Sequence, residues 1–223
     1  MTSDALSALE AEVARLRAWA EALPENERRG EWEFHYDDWG ELYSAFAAFV
    51  ATTSCHDWSD DTTQMLLYAI ARDNEMEELA EMLVEYPEKL VFLAERALAS
   101  EERNATWQLA NELGKLELSQ AEPVLLCYWH HKEEYVRRRA LIALGRLGSS
   151  HVEELAAEAW DSGEEYQRIG ALCALEYVGS PLLREYAARD EAVSTPALAK
   201  YAEHIRETGT LSDFRIQGIP VIY

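Results

Sequence analysis

Cys127 and His130 stand three residues apart with His131 directly behind them, a spacing that brings two zinc ligands onto one helix face, and Cys55 with His56 forms a second pair. Two loose pairs lack the compact spacing of zinc motifs. Cys127 lies inside the apolar run VLLCYW, where a packed thiol is the simpler reading, and His130 and His131 close a helix, where an imidazolium suits the negative end of the dipole. Asp37 and Asp38, and Asp57, Asp60 and Asp61, gather near His35 and His56, the residue types of proton transfer. Such clusters arise by composition in a chain with 42 acidic residues, and proton chemistry needs a pocket that shifts their pKa values. There is no G-x-S-x-G, Walker A or G-x-G-x-x-G sequence. The expectation is a chain with no catalytic residues, no metal and no cofactor.

Tryptophan is the other residue type with a functional reading. Trp58, Trp107, Trp129 and Trp160 fall among the helices, and Trp129 and Trp160 are 31 residues apart. A ladder of exposed rings would mark a binding surface, since tryptophan is enriched in interface hot spots. Rings packed between helices are the alternative, and burial separates the two.

Charge narrows the partner. The 223 residues carry 20 Lys plus Arg against 42 Asp plus Glu, a formal charge of −22. A phosphate-binding surface needs clustered cations, so nucleic acid is excluded as a partner. With 48% hydrophobic residues the chain is too apolar to stay disordered. No stretch approaches the ~20 apolar residues of a membrane span, and MTSDALSALEAEVARL lacks the pattern of a signal peptide. Three cysteines, far apart in apolar contexts, suit reduced core thiols. These features point to a cytoplasmic protein that does not meet the membrane.

The elements that would position any site are helices, because Ala, Leu and Glu recur while only 10 Gly and 6 Pro interrupt them. Leu6, Leu9, Val13, Leu16, Ala20 and Leu23 make one stripe of a first helix that Pro24 ends. Residues 25–40 show no helical period, and they read as a loop whose aromatics, Trp32, Phe34, Tyr36 and Trp39, plug the end of a helical core. From residue 41 the chain repeats itself. VRRRALIALGRLGSS from Val136 and QRIGALCALEYVGSP from Gln167 align at 31 residues, with Ala140 on Ala171, Leu144 on Leu175 and Gly148 on Gly179. One step back, Leu113 and Leu116 take the positions of Leu144 and Leu147.

A second helix follows each copy, at Ala121 to His131, Val152 to Asp161 and Pro181 to Arg189, with Pro123 and Pro181 in the first turn. Upstream, Glu41 to Thr52 pairs with Thr62 to Ala71, and Glu75 to Tyr86 with Glu88 to Ala99. A helix at Pro196 to Glu207 closes the series. The reading is 1–40 as N-terminal helix and connection, 41–207 as repeats and 208–223 as a tail, in a single domain. Gly148 and Gly179 should end first helices in the left-handed conformation, and Glu133, Glu134, Glu164 and Glu165 should complement the positive helix ends that follow them.

The pattern of acidic turn, V-R or Q-R, A-L-x-A-L-x-x-L or V-G and a Pro- or Val-led second helix resembles the HEAT repeat, in particular its short bacterial form, the phycobilisome-lyase-like HEAT repeat. The resemblance covers residues 103–190 well and 41–102 faintly. It implies an all-α protein, a right-handed α-solenoid of about five HEAT-like helix pairs with an N-terminal capping helix and a C-terminal tail. It also implies a concave face lined by second helices. HEAT families with chemistry fit poorly: the di-iron hydroxylases carry His-Glu ligand pairs, absent here, and the alkylpurine DNA glycosylases need a basic groove. A bilin-lyase-type enzyme stays compatible with the repeat, with no feature that marks a bilin site.

The expected function is non-catalytic binding of a basic protein, in the manner of an immunity protein that neutralises a bacterial toxin, with a general HEAT adaptor or assembly scaffold as the alternative. The expected contact residues are Trp129, His130, Glu133, Glu134, Trp160, Asp161, Glu164 and Glu165, because a large ring beside carboxylates suits an Arg- or Lys-rich partner.

Overall fold

A computed structural model describes residues 2–30, 32–212, 214–216 and 219–220. The fold is all-α apart from a two-residue ladder near the C-terminus, and it divides into two compact units, residues 1–112 and 113–223.

The first unit begins with α1 (Thr2–Ala22) and α2 (Trp39–Thr52), which pack on each other. The expected stripe is the buried one: Leu9, Val13, Leu16 and Ala20 meet a core that includes Leu42, Phe46, Phe49 and Val50. The connection between them is more ordered than its sequence suggests. It forms short 3-10 turns at Glu25–Glu27 and Trp32–His35, and Trp39 already opens α2. Its aromatics interlock, with Trp32 stacked on Trp19 at 5.5 Å, Tyr36 edge-on to Trp39 at 5.5 Å and Trp39 stacked on Tyr43 at 5.6 Å. Phe34 alone of the four points outward, 64% exposed.

After α3 (Asp60–Arg72) come α4 (Glu78–Met82), α5 (Pro87–Ala97) and α6 (Arg103–Leu113), which ends at the unit boundary. Ser59 caps α3 by accepting the Thr62 amide at 3.1 Å. The helix expected from Glu75 starts only at Glu78, because Glu77 takes a positive φ of 57° ahead of it. Carbonyls left over at helix ends are met by long polar side chains. Buried Lys89 donates to Val50 O at 2.6 Å, and Gln108 donates to Ile70 O at 2.9 Å.

The second unit contains α7 (Leu118–Trp129), α8 (Glu134–Arg146), α9 (Val152–Asp161), α10 (Glu165–Tyr177), α11 (Leu182–Ala187) and α12 (Pro196–Thr208). Helix α10 packs against α8, α9 and α12. Gly148 and Gly179 end α8 and α10 at φ of 69° and 65°. In both cases the following serine amide bonds back to a carbonyl five residues earlier, Ser149 to Leu144 and Ser180 to Leu175. Pro123 is not in a first turn: α7 starts at Leu118 and the proline sits inside it, because a solvated face tolerates one lost backbone bond. Pro181 does precede α11, which ends at Ala187, short of Arg189.

The 31-residue period extends to hydrogen bonds. Ser149 accepts the His151 amide and donates to Glu122 Oε1 at 2.5 Å, while Ser180 accepts the Leu182 amide and donates to Glu153 Oε1 at 2.6 Å. Each turn is thereby clipped to the second helix of the pair before it. In the tail, Leu211 and Phe214 are buried, and Phe214 lies against Tyr201 and His204. A ladder pairs β1 (Arg215–Ile216) with β2 (Ile219–Pro220). The rest of the tail sequence lies outside the described residues.

Candidate functional site

Burial answers the question left open for the tryptophans of the second unit. Trp129 is 7% and Trp160 2% exposed, so these rings pack between helices and form no exposed ladder. Trp129 Nε1 donates to Glu158 at 3.1 Å, and Trp160 lies against Tyr186 with ring centroids 4.9 Å apart. One repeat later the position of Glu158 is held by Arg189, which offers no acceptor, and Trp160 Nε1 has no hydrogen-bond partner among the described residues.

The neighbouring acids are largely committed within the chain. Glu165 caps α12 from a distance: its Oε1 accepts from the Thr195 hydroxyl and from the Ala197 and Leu198 amides, which holds its pKa below the usual carboxylate range. Glu134 stands in the same register. It accepts from Gln167 and pairs with Arg138 at 3.2 Å. Glu164 pairs with Arg137 at 3.3 Å. The Glu133 amide donates to His131 Nδ1 at 3.1 Å, and Ser100 and Ser162 do the same for Glu102 and Glu164. His131 therefore acts as a turn acceptor, with its pKa lowered by burial, and does not serve as a cation at a helix end. His130 and Asp161 are exposed.

Cys127 is exposed, contrary to the packed thiol its apolar run suggests, because it lies one turn after Pro123 on the solvated face of α7; Cys55 and Cys173 are buried. Among the described residues no group of three or more His, Cys, Asp or Glu side chains is placed to hold a metal.

The first unit contains a cleft of about 650 Å³ where the C-terminus of α2 meets the N-terminus of α3. Its apolar lining is Leu6, Phe49 and Trp58, with Trp58 stacked on Phe49 at 5.5 Å and edge-on to Phe92. The sequence placed Trp58 among four tryptophans, and it is the half-buried one, whereas Trp107 is buried. The indole is fixed by its Nε1 donating to Thr53 Oγ1 at 2.9 Å. The wall hydroxyls are turned to the backbone: Thr52 donates to Ala48 O and Thr53 to Phe49 O, both at 2.7 Å. Ser54 accepts the His56 amide, and Thr62 shares a hydrogen bond with Ser59. The wall therefore offers a visitor the lone pairs of Thr52 and Thr53 and the exposed carboxylate of Asp57.

A second polar group lies at the α3–α4 junction. Buried Asp73 accepts the Leu79 amide at 2.8 Å and the Tyr43 hydroxyl at 2.7 Å. Burial outweighs these bonds and pushes its pKa up to about 6, and burial raises that of Glu33 as well. Between pH ~3.9, where the unfolded carboxyl titrates, and about 6, the folded chain binds the extra proton. This contribution to stability is complete below that window and is lost as pH rises through it. The melting temperature is therefore expected to rise as pH falls from 7.5 to 5, and Asp73→Asn should flatten the rise; thermal melts across that range check it.

Residues 90–176 match the family model described as HEAT repeats. No curated protein matches the chain. The match spans α6 to α9 with most of α5 and α10, and it contains the first serine clip, Ser149 with Glu122, whereas Ser180 of the second lies just beyond it. Over this stretch the chain is similar to HEAT repeats.

Proposed function

We propose that the chain is a non-catalytic binding module for a basic protein, acting in the cytoplasm as an inhibitor of the immunity type that neutralises a partner such as a bacterial toxin. HEAT repeats suit a protein-binding or scaffold module. The observation that carries the basic partner is the net charge of −22, since complementary fields raise association rates and suppress wrong partners. No described helix is long and apolar enough to cross a membrane, and the three free cysteines suit a reducing compartment.

Affinity purification from the native cell at low salt, followed by mass spectrometry, tests the reading. The expected result is one stoichiometric partner of strongly basic composition whose own activity stops when the chain is added back. A basic partner that keeps its activity would indicate an adaptor, and an acidic or neutral partner would contradict the proposal.

A further inference from the structure

We infer that the Trp58 cleft is the anchoring pocket of this module, and that its occupant is an arginine side chain presented by the partner. The inference rests on the proposed basic partner and adds the place and the group recognised. Three features select a cation with several donors over other ligands. The cleft has an aromatic and aliphatic floor, Trp58, Phe49 and Leu6, able to cover the stem and face of a guanidinium. Two of its hydroxyls, Thr52 and Thr53, spend their protons on the backbone carbonyls of Ala48 and Phe49 and so present lone pairs to the cleft. Asp57 lines the cleft and is exposed, and guanidinium with carboxylate is among the stronger charge-assisted pairs.

An anion is disfavoured in the same place. The N-terminus of α3 would attract one, but Asp60 and Asp61 fill its first turn and the whole chain is strongly negative. A purely apolar side chain would leave Asp57 desolvated without a partner, at a cost. The volume, about 650 Å³, lies within the usual range of ligand sites and leaves room for an arginine side chain together with neighbouring residues of the segment that presents it.

The test uses acetyl-leucyl-arginine amide and its citrulline counterpart, which has the same shape without the charge. Both are titrated against the full chain while the indole N–H resonance of Trp58 is followed, assigned by its loss in Trp58→Phe. The arginine probe should shift that resonance saturably, with the citrulline probe about tenfold weaker or more. Asp57→Asn, at an exposed site, should weaken the arginine probe about threefold or more while leaving the melting temperature unchanged. Equal affinity for the two probes, a Trp58 signal that does not move, or indifference to Asp57→Asn would each overturn the inference. The broader reading fails separately: a basic partner that still binds an Asp57→Asn, Trp58→Phe chain normally would remove this pocket alone.

Discussion

Trp160→Ala should lower the stability of the folded chain by about 3–5 kcal/mol, the usual cost of deleting a buried aromatic side chain and leaving its volume empty. The ring is 2% exposed, sits against Tyr186 and has the Arg168 guanidinium 5.4 Å from its centre, so three elements lose contacts together. Trp160→Phe should cost much less, because the indole N–H has no bond to lose. Chemical denaturation of both variants checks the pair. A Trp160→Ala chain as stable as the parent would mean that the ring is not part of the core, and any loss of binding in that variant has to be read against the fraction still folded.

The close approach of α8 and α10 gives the second large effect. A Cβ added to Gly145 would stand 2.8 Å from Ala174 Cα and 3.0 Å from its carbonyl oxygen, both backbone atoms that cannot rotate away. Gly145→Ala gains up to ~1 kcal/mol of helix propensity, but overpacking of this kind typically costs ~1–3 kcal/mol and should win. Ala174→Leu and Ala143→Leu meet the same limit, at 0% and 1% exposure. For a chain of this size ~1 kcal/mol moves the melting temperature by about 2–4 °C, which a thermal melt resolves. Unchanged melting in all three would contradict a core shared between successive helix pairs.

The repeat was readable because burial imposes it. Ala140 and Ala171, Leu144 and Leu175, and Gly148 and Gly179 recur where neighbouring pairs touch or turn, and each choice is forced locally by volume or by φ. The serine clips left a signal too, Ser149 with Ser180 and Glu122 with Glu153, but polar pairs 27 residues apart acquire meaning only once the helices are placed. Trp129 and Trp160 left two readings open because their spacing is the same whether the rings face solvent or a neighbour, and burial decides for packing. The role of one turn glutamate was hidden in another way: Glu165 reads as a surface acid, and it also caps a helix some thirty residues downstream. The Trp58 cleft was out of reach, since its walls come from α1, α2 and α3 and only the fold brings them together.

The central claim, that negative charge guides a basic protein onto this chain, is tested most directly by the association rate constant of the purified pair measured between ~0.01 and ~0.3 M salt. Screening lengths shrink from ~30 Å to less than ~10 Å over that range. The account predicts an association rate that falls by about tenfold or more while dissociation changes little. An association rate flat across the range would contradict it.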